Sequence, residues 1–465
     1  MNWRQVFRLL ALLLALVAGF MLVPALLSLA DPAPQARNAL FVSIALTFLT
    51  AGFIFYASRG AIPQNLSTRS GFMLVTLSWL TASLFGALPF FLSGAVPTFT
   101  DAFFETMSGF TTTGASILTD VEALPRPLLF WRSLTHWLGG MGSVVLTVAI
   151  LPLLGMGGFR LIQAEAPGPT VDKLAPRIAE TAKILWGVYV LFTGAMTILL
   201  MFGGLDWFDS VTHAFATMAT GGFSTQNASV GQYRSGYIEW VVTAFMLLEG
   251  INFALHFRLL TGKFSLFYRD LELRVYLAIF LAASGLIALD LALNHTGQAD
   301  IFTQLRLAAF QAASILTTTG FASADFEAWP GLSQTILFTL MFVGGCAGST
   351  GGGIKVIRLI TLFRQGLNEM KQQLHPRGIF PLKVGTSLVQ KEAAYSIAGF
   401  FFLYIMLVLG VTLIAATSEA DILTCVTAAL STVGNIGPGF GRIGPMENYA
   451  FFPGYVKWTF SLAML

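Results

Sequence analysis

The sequence predicts an all-α polytopic membrane protein. Four repeats, each a spanning helix, a short helix, a Thr/Gly stretch and a second spanning helix, surround one axis, with two leading transmembrane helices before them. Three observations predict this. Hydrophobic residues make up 55% of the 465 and charged residues only 11%, with mean hydropathy +0.74. A soluble chain carries about 25% charge, so lipid must solvate much of this surface. Apolar runs of about 20 residues, the length that crosses a bilayer, recur along the chain. Four Thr/Gly stretches stand at matching places between them. The net charge of +3 gives no footprint for nucleic acid. Cys346 and Cys425 alone make no disulfide framework.

Taken in order, Arg4 and Arg8 flank an apolar run from Leu9 to Leu29. It is longer than the ~7–15-residue core of a signal peptide, and a second run follows at Ala39–Ala57. Both are expected as spans, near 9–30 and 38–57, forming a leading unit at 1–60. Eight more are expected near 71–95, 128–156, 184–204, 237–257, 275–293, 331–364, 393–417 and 448–465. Apolar segments near 101–111, 208–219, 301–316 and 421–431 are too short to cross and read as half-length helices. The repeats are accordingly placed at 70–157, 181–260, 270–366 and 391–465. The last span stops at Leu465 without the flank that other exits carry, which reads as a chain cut short.

Putting the Arg4 side in the cytoplasm collects there every Lys and Arg of the 26 except Arg37, Arg126, Arg132, Arg234, Arg306, Arg442 and Lys457. That bias sets both termini inside. The opposite side gathers acids such as Asp101, Glu105, Asp120, Asp206, Asp209, Asp325, Glu327 and Asp421, a pattern that concentrates cations.

The four stretches align as Thr111-Thr112-Thr113-Gly114, Thr220-Gly221-Gly222, Thr318-Thr319-Gly320 and Thr432-Val433-Gly434-Asn435. The aligned glycines, Gly114, Gly222, Gly320 and Gly434, are 108, 98 and 114 residues apart. Asp101, Asp209 and Asp421 each stand 13 residues before theirs, where an acid suits a helix start. Each short helix would enter from outside and aim its negative dipole end at mid-membrane, favouring a cation there. Extended backbone at that depth is tolerated only in protein or along a watery cavity. Glycine frees the backbone to turn carbonyls inward. Four such stretches supply a ring of oxygens that can replace an alkali cation's hydration shell.

On these motifs the chain resembles the TrkH-type membrane subunits of the Trk/Ktr/HKT superfamily of potassium transport proteins. The resemblance covers about 70–465 as four pore repeats, and 1–60 matches the two extra leading helices of the TrkH type. It implies potassium selectivity: plant members with serine at the first aligned position pass sodium, and Gly114 stands there. Asn435-Ile436-Gly437-Pro438-Gly439 also matches the family pattern.

The span at 331–364 is interrupted by Gly344-Gly345-Cys346-Ala347-Gly348-Ser349-Thr350-Gly351-Gly352-Gly353, six glycines in ten residues. No straight helix survives that. The residues point to an intramembrane loop under the filter, and the resemblance implies a gate. Lys355 after it either projects charge toward the inner mouth or snorkels. Glu249 lies inside a span, with His256 seven residues on and one helical face shared. They make either a structural polar contact or a proton relay. His136, His213, His295 and Arg132 are expected at interfaces or the outer mouth. The family places a basic residue in the final helix, where Lys457 stands.

The expected function is potassium translocation, in a bacterial inner membrane, through one pore per chain. The alternative is a proton-coupled potassium carrier. Two inverted halves would favour the carrier, whereas these four stretches lie on one side. No paired carboxylates or Ser/His pair suggest an enzyme. Potassium is the ion expected at the filter. With no G-x-G-x-x-G after a strand and no Walker lysine, the chain has no nucleotide site. The resemblance implies a homodimer on which a cytosolic TrkA-like nucleotide-binding ring docks, over loops at 157–183, 258–274 and 365–391. Anionic lipid is the other taker for those basic loops.

Overall fold

A computed structural model describes residues 3–60, 68–154, 178–262, 264–294, 300–385, 387–389 and 391–465. The expected basic loop at 157–183 lies outside the described residues as far as residue 177, as do Lys263 and His295.

Most of the described residues are helical. Helix α1 (Trp3–Leu27) packs on α2 (Pro34–Ala57). The buried stripe Val6, Leu10, Leu14, Val17 and Met21 recurs at three- and four-residue intervals, the spacing of one helix face. Leu49 and Phe53 stay exposed, as a lipid-facing side requires.

Four units follow with one order of elements. The first holds α3 (Thr68–Gly86), α4 (Leu88–Leu92), the short α5 (Phe99–Phe110) and α6 (Arg126–Leu154). The second holds α7 (Ile178–Phe202), the short α8 (Trp207–Met218), α9 (Gly236–Glu249) and α10 (Phe253–Leu260). Next come α11 (Phe264–Arg269), α12 (Leu271–Leu293), the short α13 (Ile301–Leu316), α14 (Gly331–Leu340) and α15 (Val356–Leu374). The fourth unit holds α16 (Lys391–Ala416), the short α17 (Ile422–Gly434) and α18 (Gly454–Ala463). A hairpin of β1 (Lys383–Val384) and β2 (Ser387–Leu388) precedes it. Neighbouring units touch through their short helices: α6 packs on α8, α9 on α13, and α18 returns to α5.

Three expected spans differ from a straight crossing. Among the described residues six helices are individually long and apolar enough to cross, and a seventh span is a bent pair. That pair is α9 and α10, which meet at 102° across Gly250–Asn252. Gly250 stops the first helix, and the Asn252 side chain caps the second by accepting from the Ala254 N–H at 2.8 Å. Glu249 and His256 therefore share no helix face, because the helix ends between them. The 331–364 segment keeps only ten helical residues before its glycines. Its continuation, α15, is amphipathic rather than apolar. The last span is helical only over Gly454–Ala463.

Candidate functional site

The short helices start on caps. Thr98, Asp206 and Asp421 accept from N–H groups three residues on, at 3.1, 2.7 and 3.0 Å. Asp101 and Asp209, expected as caps, sit within the first turn. The third helix begins after Asp300, whose side chain makes no capping bond.

The other ends of these helices close alike. Thr112, Thr220, Thr318 and Asn435 take left-handed φ of 54, 54, 58 and 56°. The residue after each donates its N–H five residues back: Thr113 to Ser108, Gly221 to Ala216, Thr319 to Ser314 and Ile436 to Ser431, all at 2.8–2.9 Å. This is the Schellman close of a helix, which glycine or asparagine usually makes. Three of these positions carry β-branched threonine, which costs about 1–2 kcal/mol each in that region. Gly114, Gly222, Gly320 and Gly437 follow with φ of 80, 79, 82 and 98°.

The fourth register is thus three residues later than the sequence suggested. Thr432, Val433 and Gly434 form the last turn of α17, where Thr432 Oγ1 donates to the Ala428 carbonyl at 2.8 Å. Gly437 takes the place assigned to Gly434. The caps agree: Thr98, Asp206 and Asp421 each precede Gly114, Gly222 and Gly437 by 16 residues.

The four glycines close a ring. A Cβ on Gly114 would overlap the Gly221 carbonyl, one on Gly222 the Thr319 carbonyl, and one on Gly320 the Ile436 carbonyl. A Cβ on Gly437 would lie 2.9 Å from the Thr113 oxygen, back in the first unit. All four line one cavity of about 120 Å³ with Arg132, Phe223 and Pro438. Asn435 ties the ends together, its Nδ2 donating to the Thr111 carbonyl at 2.9 Å and reaching Thr113 Oγ1 at 3.0 Å.

Buried polar groups brace this ring from behind. Arg132 Nε pairs with Glu105 at 2.7 Å, and its Nη1 donates to the Ser224 carbonyl at 2.9 Å. Its guanidinium lies 3.5 Å over the Phe223 ring. Glu105 also accepts the Ile117 N–H at 2.9 Å. One ion pair thus fixes the stretches after Gly114 and Gly222. His136 stacks on Phe223 at 3.9 Å, and His213 Nε2 meets Ser224 Oγ at 2.9 Å. Lys457 pairs with Asp101 at 2.6 Å, joining the last helix to the first short one. Toward the open side, the Asn227 side chain holds Asp120 below the ordinary carboxylate range. The Thr424 hydroxyl does the same for Asp421.

The glycine-rich segment wedges against the opposite end of the ring. The Gly352 N–H donates to Thr318 Oγ1 at 2.7 Å. A Cβ on Gly351 would lie 2.9 Å from the Thr317 oxygen, and one on Gly352 2.5 Å from the Gly434 oxygen. Gly434 is therefore a contact of this loop. On its other side, Cys346 N–H bonds the Gly250 carbonyl at 2.8 Å, and Gly348 accepts from Phe253 N–H at 3.0 Å. Lys355 Nζ donates to the Gly351 carbonyl. Gly344, Gly345, Gly353, Ala347, Ser349 and Thr350 complete the segment, with Gly344 N–H on the Ile354 carbonyl at 2.8 Å. Sequence reading missed Gly250 and Asn252, because they sit within an apolar run.

Known proteins resemble this chain over its full length. A family model described as TrkH, cation transport protein, matches residues 36–465. The Trk system potassium uptake protein TrkH of Halomonas elongata is 41% identical, over 100% of this chain and 96% of that protein. Its namesake from Escherichia coli strain K12 is 38% identical with the same coverage. The crystal structure of the potassium transporter TrkH from Vibrio parahaemolyticus superposes with a TM-score of 0.89 at 34% identity. It covers 100% of this chain and 96% of that one.

Proposed function

Because this chain belongs to the TrkH family of cation transport proteins, we propose that it is the potassium-selective translocation subunit of a Trk-type uptake system. Potassium crosses within one chain, through the ring that Gly114, Gly222, Gly320 and Gly437 close. That ring is the observation that carries the reading. Four units of one hand bring equivalent backbones to one axis, with the negative ends of four short helices behind them. The left-handed residues alternate with ordinary ones, which turns successive carbonyls to the same side. Thr112, Thr220, Thr318 and Asn435 add side-chain oxygens. The pore repeats are those expected at 70–157, 181–260, 270–366 and 391–465.

The loop from Gly344 to Gly353 is the gate. It abuts Thr317, Thr318 and Gly434 on the inner side of the ring. The caps and acids Asp120, Asp206 and Asp421 lie on the outer side, and both termini lie in the cytoplasm of a bacterial inner membrane. Two chains form a homodimer with two separate pores. A TrkA-like nucleotide-binding ring docks on the cytoplasmic face. Exposed Phe363, Met370 and Leu374 on α15 support that docking.

One observation favours the alternative of a proton-coupled carrier. Glu249 is fully buried, and neither of its oxygens has a hydrogen-bond partner among the described residues. The two readings separate in proteoliposomes holding the purified chain. A pore takes up rubidium down the rubidium gradient alone, at a rate unchanged by an imposed pH gradient of equal membrane potential. Uptake that requires an inward proton gradient would replace the pore with the carrier.

A further inference from the structure

We propose that Glu272 is the latch of the gate: one carboxylate oxygen holds both feet of the glycine-rich arch and joins it to the helix that follows. This deepens, and rests on, the reading of that loop as a gate.

Glu272 is buried in the first turn of α12. Helix capping does not occupy it, because Asp270 already caps α12 through the Leu273 N–H at 2.8 Å. Instead Glu272 Oε1 accepts the Ala347 N–H at 2.8 Å and the Ile357 N–H at 3.0 Å. Ala347 lies in the ascending limb of the loop. Ile357 is the second residue of α15, where the helix dipole favours a carboxylate. Between those feet the chain rises to Gly352, whose N–H meets Thr318 Oγ1. Lys355 cross-ties the arch at Gly351. The arch is thus fastened at its crown to the ring and at both feet to a single atom.

This fixes how movement passes to the gate. Helix α15 runs away from the loop and presents exposed Phe363, Met370 and Leu374. Displacing it pulls Ile357 off Glu272, leaving a buried carboxylate with one N–H partner. Removing the carboxylate leaves two N–H groups unpaired while the arch is seated, and only that of Ala347 once Ile357 has moved away. The seated state loses stability relative to the open one, and the population shifts toward open.

The test uses the full chain in proteoliposomes with Glu272→Ala and Glu272→Gln. Thermal unfolding in detergent checks that each variant folds. Glu272→Ala is expected to raise basal rubidium uptake about tenfold, the effect of about 1.4 kcal/mol on the seated-to-open balance. Glu272→Gln, which keeps an acceptor oxygen and loses the charge, is expected to raise it less. Both keep the wild-type preference for potassium over sodium. A merely structural role predicts lower flux with lower thermal stability. Folded variants with unchanged or reduced flux overturn the latch. If Glu272→Ala does not fold, the glutamine variant decides alone. Deletion of Gly345 to Gly353 separates the two claims. If the deletion fails to raise flux, the gate reading itself falls. If it raises flux and the Glu272 variants do not, only the latch falls.

Discussion

Gly437→Ser and Gly114→Ser are each expected to lower the preference for potassium over sodium at least about tenfold, equivalent to about 1.4 kcal/mol of differential binding. Gly434→Ser is expected to leave it within about twofold. The difference follows from backbone and space. Gly114 and Gly437 hold φ of 80 and 98°, a region where a side chain is strained. A Cβ at either position meets the backbone of a neighbouring unit. The ring must shift to admit it, and the oxygen cage shifts with it. Gly434 is helical, and a Cβ there meets nothing closer than the Ile436 Cδ1 and Tyr404 hydroxyl, at 3.2 Å. Competition of sodium and potassium against rubidium uptake measures all three. Equal behaviour of the Gly434 and Gly437 variants would mean that the fourth register is misassigned.

Deleting Gly345 to Gly353 is expected to raise basal potassium flux without changing ion preference. The rise can reach about a hundredfold if the loop is seated roughly 99% of the time. The cut is one the chain can close. Gly344 N–H already bonds the Ile354 carbonyl at 2.8 Å, so the new ends lie side by side. Contacts to Thr318 and Gly434 are lost, whereas the ring of Gly114, Gly222, Gly320 and Gly437 keeps its partners. A folded deletion protein that conducts less than wild type would give the loop a supporting role.

Much of this was legible in the sequence because the repeat is written in local chemistry. Short apolar helices and Thr/Gly stretches recur at matching places, and six glycines in ten residues rule out a straight helix. The fourth register was obscured because Thr432-Val433-Gly434 imitates the Thr-x-Gly pattern. Asparagine meanwhile stands in for threonine at the left-handed position, which Asn435 takes readily. The constant distance from cap to glycine carried the correct answer, and Asp421 pointed to Gly437. The bend at Gly250–Asn252 was hidden by apolar neighbours, although glycine followed by a capping asparagine is a stop and a start. Arg132 was legible only as an interface or outer-mouth residue, and the role of Glu272 not at all. Their partners Ala347, Ile357 and Ser224 lie 75 to 92 residues away, and only tertiary packing brings them together.

The proposed cation site lies where the four repeats' glycines meet. The direct measurement is a crystal of the chain grown in rubidium, with data collected at the rubidium absorption edge. An anomalous peak is expected on the axis inside the ring of Gly114, Gly222, Gly320 and Gly437, one that weakens in the Gly437→Ser variant and persists in Gly434→Ser. Rubidium bound only at Glu249 or in the outer mouth, with the ring empty, would contradict it.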